Sequence, residues 1–154
     1  MIWRWSLALV GLLLVLYGAH IWQSAFIYED FRVVGATMAF PASRSLTAWT
    51  WTWTQTPQSA HALSLGLHLV VVGLLGALAW RLGYSEVGVG LVMAVFALHP
   101  LTVQPVAYAA SRDELLAAIG ILTAVLGATW GWRPLALVGM GAGLGWAWLS
   151  QESG

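Results

Sequence analysis

The chain has no cysteine and no lysine, and charged residues make up only 8% of its 154 positions. Without cysteine there can be no disulfide, no thiolate metal site and no cysteine nucleophile, while the redox compartment stays open. So little charge excludes an ordinary soluble domain, in which roughly a quarter of residues are charged. The formal net charge is zero, so there is no electrostatic footprint for nucleic acid or for an acidic partner. No H-x-x-x-H spacing, paired-helix haem spacing or phosphate-cradling glycine loop occurs. What fills the chain is hydrocarbon: 60% of residues are hydrophobic and the mean hydropathy is +0.79. This composition predicts an all-α, polytopic membrane protein with a single transmembrane domain over 1–154.

About five apolar runs stand out as spans, near residues 3–22, 60–80, 84–98, 115–132 and 135–149. The first is too long for a signal-peptide core and lacks a small-x-small cleavage site, so it reads as a retained anchor. The third is short for a crossing that needs roughly 20 residues, and it carries Glu86 near its start. Between the first two runs lies the one long polar segment, 23–59, with an acidic pair, three alternating tryptophans and many threonines. Lipid does not tolerate its open backbone, so it is expected outside the membrane as short interfacial helices.

Orientation follows from loop length and tryptophan. With a cytoplasmic N-terminus, Arg4, Arg81 and Arg133 fall on minimal cytoplasmic segments and Arg32, Arg44 and Arg112 on the outer side, so the number of arginines is equal and the short arginine-bearing loops decide. Trp3, Trp5, Trp80, Trp130 and Trp132 then mark the cytoplasmic interface, and Trp22, Trp49, Trp51, Trp53, Trp146 and Trp148 the outer one. Dropping the third span would invert everything after it. Packing is expected along glycine rows: Gly66 with Gly73, Gly120 with Gly127, Gly139 with Gly143, and the offset pair Gly141 and Gly145. Small residues at these spacings let backbones approach where no hydrophobic drive exists. For any single pair the alternative is that glycine is simply frequent in membrane helices.

This topology gathers the polar residues on the outer face: Glu29 and Asp30 after the first span, His61 opening the second, and His99 closing the third. Gln104 follows, then Arg112, Asp113 and Glu114 opening the fourth, and Gln151 and Glu152 after the fifth. Ionisable groups beside spans are costly and usually functional. Each member also has a structural reading. Glu29-Asp30 can be a loop pair, and His99-Pro100 can mark a helix end. Asp113 and Glu114 suit the first turn of a helix, with Ser111 as its N-cap. His68 lies seven residues after His61, on the same helix face and about 10 Å deeper at about 1.5 Å per residue. A histidine hydrogen-bonded to a neighbouring helix is preferred there over a haem or chlorophyll ligand. His20 reads as interfacial.

The order YED, then Arg44-x-Leu46, then Pro57-x-x-x-His61 with His68, then HPLTVQPVAYAASRDELLA resembles the N-terminal membrane region of one enzyme family. These are the TMTC-type and bacterial tetratricopeptide-linked members of the GT-C glycosyltransferase superfamily, relatives of the protein O-mannosyltransferases. Nearly the whole chain takes part, and the stretch from His99 to Leu116 is the most specific. Several positions depart from the family pattern: Glu29 where Asp is common, Ser64 for Asn, Gln104 for Glu in some relatives, and Gln151 for Lys before Glu152. Family members carry many more spans and often a tetratricopeptide domain. The expectation is therefore a GT-C-like N-terminal half, a truncated fragment of such an enzyme.

The resemblance implies sugar transfer from a polyprenyl-phosphate carrier to a hydroxyl of a protein or glycan acceptor, on the periplasmic side of a bacterial inner membrane. Asp30 or Glu29 would be the base on the acceptor hydroxyl. Arg112 would bind the leaving phosphate in a fork, and Asp113 would hold Arg112 or line the site. His61, His99, Gln104 and Glu152 would contact sugar or phosphate. No cofactor follows firmly, and a divalent-metal requirement stays open. The competing expectation is a small non-catalytic membrane subunit packed with other subunits, in one version holding a pigment or haem through His20, His68 or His99.

Overall fold

The computed structural model describes residues 2–23, 25, 45–129 and 133–150, which form helices and short connections with no strand among them. Helix α1 is Ile2–Gln23, α2 Ser45–Trp53, α3 Pro57–Arg81, α4 Glu86–Leu98, α5 Pro100–Ala107, α6 Arg112–Ala128 and α7 Arg133–Ser150. A single 3-10 turn, Ala109–Ser111, leads from α5 to α6. A helix falls within each of the five expected apolar runs, with α6 ending at Ala128 against an expected 132 for the fourth run, and α2 is a short helix within the polar segment.

The longest helix, α3, has clear local causes. Thr56 Oγ1 accepts the Ser59 N–H at 3.2 Å, the Ser59 hydroxyl returns to the Thr56 N–H at 3.2 Å, and Pro57 occupies the first helical position. The helix stops at Arg81, and Gly83 just beyond it, with φ of +84°, lets the Tyr84 N–H turn back to the Ala79 carbonyl at 3.1 Å. At 25 residues it is about 37 Å long, more than a roughly 30 Å hydrocarbon core. Among the described residues it is the one helix long and apolar enough to cross a membrane by itself. Helices α4 and α5 pass the same test only as a pair bent by 65°. Helices α6 and α7, with 17 and 18 residues, are shorter than a full crossing, and α1 contributes the apolar stretch Leu9–Gly18.

The bend between α4 and α5 follows from Pro100, which lacks an N–H and so leaves the Phe96 carbonyl without its helical donor. The Thr102 hydroxyl fills that role. The Leu101 N–H is diverted to His99 Nδ1 at 3.3 Å, which frees the next carbonyl, that of Ala97.

Two arrangements hold the bundle. Leu13 of α1, Val72 and Ala79 of α3, and Val89, Met93 and Ala97 of α4 form the main buried cluster. Helices α6 and α7 instead meet backbone to backbone. A Cβ on Gly143 would lie 2.5 Å from both the Ala124 nitrogen and the Gly120 oxygen, and one on Gly127 would lie 2.9 Å from the Gly139 carbonyl carbon. The glycine rows of these two helices thus pack as expected. Gly66, Gly73, Gly141 and Gly145 do not: each faces open space. The outward faces carry the larger apolar side chains, among them Val15, Val87, Val95, Leu137 and Val138, each at least 65% exposed. Exposed apolar side chains in this number mark a surface for lipid or for a protein partner.

Candidate functional site

The chemistry collects where α2, α5 and the first turns of α3 and α6 meet. Its centre is Arg112, with no exposed surface. Its Nε donates to the Ala109 carbonyl at 3.3 Å and its Nη2 to the Ala60 carbonyl at 3.4 Å. Its Nη1 donates to Thr54 Oγ1 at 2.8 Å and Thr50 Oγ1 at 3.2 Å. The guanidinium carbon sits 3.9 Å from the centre of the Trp51 ring, a cation–π contact. One side chain therefore ties together α2, α3 and the 3-10 turn.

Helix α2 is built for this partner. Thr47, Thr50, Trp51 and Thr54 recur at helical spacing and are buried, whereas Trp49 and Trp53 stand exposed with ring centroids 5.5 Å apart. The Thr50 and Thr54 hydroxyls donate to the carbonyls of Thr47 and Thr50, which leaves their lone pairs to Arg112. Thr47 donates to the Ser150 carbonyl at 2.7 Å and so fastens α2 to the end of α7.

The two histidines of α3 answer the broken backbone of α4 and α5. His68 Nε2 lies 3.3 Å from the Ala97 carbonyl freed at the bend, and the ring stacks on Phe96. His61 Nδ1 lies 3.0 Å from the Val106 carbonyl near the end of α5. A carbonyl only accepts, so these ring nitrogens carry the protons. Open carbonyls inside an apolar bundle need such donors. His61 Nε2, Ser64 Oγ and His68 Nδ1, all on one side of α3, are buried without a hydrogen-bond partner among the described residues. His68→Leu is expected to lower stability by about 1–3 kcal/mol, because it strands the Ala97 carbonyl. His68→Gln, which keeps a donor, should recover part of this. Unfolding in detergent measures both, and a His68→Leu protein as stable as the parent would reject the capping role.

The remaining expected residues separate. Asp113 is buried in the first turn of α6, next to Arg112. Glu114, just ahead of the span expected from Leu115, has its carboxyl raised by desolvation and then by the neighbouring Asp113 carboxylate. His99 is exposed at the corner and serves as the N-cap of α5, and Gln104 is exposed on α5. His61 and Arg112 come to the same place, since Arg112 grips the carbonyl of Ala60, the residue before His61. Ser111 precedes α6 but makes no side-chain cap; the 3-10 turn leads into the helix instead. Glu29, Asp30 and Glu152 lie outside the described residues, as do the side chain of His20 and the residue Gln151. No group of three or more His, Cys, Asp or Glu residues able to hold a metal occurs among the described residues.

Sequence reasoning missed Thr50, Trp51 and Thr54 as partners of Arg112. The signal was Thr47, Thr50 and Thr54, three and four residues apart, a spacing that puts them on one helix face. Comparison with protein-family models, with curated proteins and with solved structures finds no match.

Proposed function

We propose that this chain is the N-terminal membrane region of a GT-C-like glycosyltransferase, with five spans and an extracytoplasmic site. The observation that carries the reading is the buried polar cluster at one end of an otherwise apolar bundle. There Arg112, Asp113 and His61 converge from two helices, and His61 Nε2 keeps a lone pair for a ligand hydroxyl. Support for five spans comes from the direction of α3 and α6. They are tied at their starts through Ala60 and Arg112 and at their ends through Arg81 and Thr129, so they run parallel. In this reading the bent pair of α4 and α5 is the third span, which returns the chain between them. The outward valines and leucines support a lipid surround.

In this reading Asp30 or Glu29 accepts the acceptor hydroxyl's proton as oxygen attacks the sugar, and the polyprenyl phosphate departs toward Arg112. His99, Gln104 and Glu152 are the further substrate contacts, reached from the periplasmic side of a bacterial inner membrane. The test is sugar transfer from a polyprenyl-phosphate donor by an intact enzyme that contains this region. Asp30→Asn is expected to abolish transfer with membrane expression unchanged; retained transfer removes Asp30 as the base.

One observation favours a second reading, that of a non-catalytic membrane subunit. The Arg112 guanidinium is fully buried and binds four acceptors of its own chain. A residue held in this way welds helices whether or not a phosphate ever arrives. Wild-type enzyme that leaves donor untouched, and purifies only with partner subunits, would favour this alternative.

A further inference from the structure

A groove of about 710 Å³ runs between α1, α3 and α4, at the end of the molecule away from Arg112. Leu9 and Val10 line one side and the exposed Gly73 and Ala77 the other, over the buried side chains of Leu13 and Met93. Among the described residues no atom comes within 4 Å of a Cβ placed on Gly73, so the groove is open beside it and a larger side chain there would enter it. From Leu69 to Arg81 the groove spans about 18 Å along α3 at about 1.5 Å per residue. One leaflet contributes about 15 Å, half of the roughly 30 Å hydrocarbon core.

The mouth of the groove is cationic. Arg81 is exposed there, next to the exposed Trp80, which suits the headgroup level. Its Nη2 donates to the Thr129 carbonyl at 2.6 Å and its Nε to Thr129 Oγ1 at 3.4 Å. These bonds steady the guanidinium and leave Nη1 free to donate, and no carboxylate pairs with Arg81 among the described residues. We infer that this groove is a binding site for an anionic phospholipid, with one acyl chain along α3 and the headgroup phosphate on Arg81. The inference rests on the membrane reading above, but not on the glycosyltransferase reading.

The full chain is first tested for resistance to alkaline carbonate in membranes. It is then purified in uncharged detergent, and retention of phosphatidylglycerol and phosphatidylcholine is compared by native mass spectrometry. Both lipids offer Arg81 a phosphate, but only phosphatidylglycerol carries a net negative charge, so wild type should prefer it by about fivefold, the scale of one arginine at an anionic headgroup. Arg81→Gln should erase the preference. Gly73→Leu should lose both lipids, while Gly145→Leu, on an open position of α7 away from the groove, should keep them. A membrane-retained wild type that holds the two lipids equally, or a Gly73→Leu protein that still holds phosphatidylglycerol, overturns the site alone. Extraction by carbonate overturns the membrane reading and the site with it.

Discussion

Arg112→Met is expected to destabilise the protein by about 3 kcal/mol and to release α2 from the bundle. Methionine matches arginine in reach but can replace neither the four donated hydrogen bonds nor the contact with Trp51. A hydrogen bond to a charged group contributes about 1.5–3 kcal/mol. Four of them would give more than the net figure, but burying the guanidinium offsets a large part. Arg112→Lys should fall between the two proteins. An ammonium is a point charge on a flexible stem and cannot address Ala60, Ala109 and two threonines in the fork geometry that arginine uses. Thr54→Val, which removes the shortest of the four bonds at 2.8 Å, should cost about 1–2 kcal/mol. Unfolding in detergent measures each change. Proteolysis near Trp53 reports whether α2 has come loose. An Arg112→Met protein with parental stability and a protected α2 would show that the guanidinium is kept for a ligand and not for the bundle.

The second large effect is expected at the seam between α6 and α7. Gly143→Leu should cost about 3 kcal/mol and Gly143→Ala about 1–3 kcal/mol. Even the first added carbon would sit 2.5 Å from backbone atoms of α6, and backbone has no rotamer with which to move aside. The helices must separate along the contact and lose dispersion attraction over its whole length. Gly120→Ala should act in the same way, since its Cβ would lie 2.6 Å from the Gly143 oxygen. The double variant should cost less than the sum, because either change alone already opens the same seam. Gly141→Ala and Gly145→Ala meet open space and should be neutral or stabilising by up to about 1 kcal/mol, the helix-propensity gain of alanine over glycine. Thermal unfolding of the four single alanine variants gives the comparison. Equal effects at positions 141 and 143 would reject close backbone packing as the cause.

These two cases show how unevenly the structure could be read in advance. Glycine spacing marked positions 120, 127, 139 and 143, and those backbones do meet. The same spacing marked 66, 73, 141 and 145, which touch nothing, because spacing gives a face but not the helix it is turned toward. Arg112 was visible as an isolated charge in a hydrocarbon chain. Its partners were not, since two are backbone carbonyls, which every residue has, and two are threonines more than 50 positions away. The preferred reading of His68, a histidine bonded to a neighbouring helix, is what the fold contains. For His61 the carbonyl of Val106 came as an addition, because it depends on where α5 stops.

Sequence alone determined that the chain is helical and apolar, where its main helices run, that a helix can end at His99-Pro100, and that its polar groups are few enough to be counted. These properties are local: hydropathy, a missing proline N–H and turn-forming glycine act within a few residues of themselves. Only the tertiary structure decided which carbonyls the two α3 histidines satisfy, that α2 clasps Arg112, that α3 and α6 lie parallel, and that a groove opens at Gly73 below Arg81. Each of these depends on which helix faces come together. In a chain with so little charge, that choice falls to steric fit and to a handful of hydrogen bonds between residues far apart in sequence.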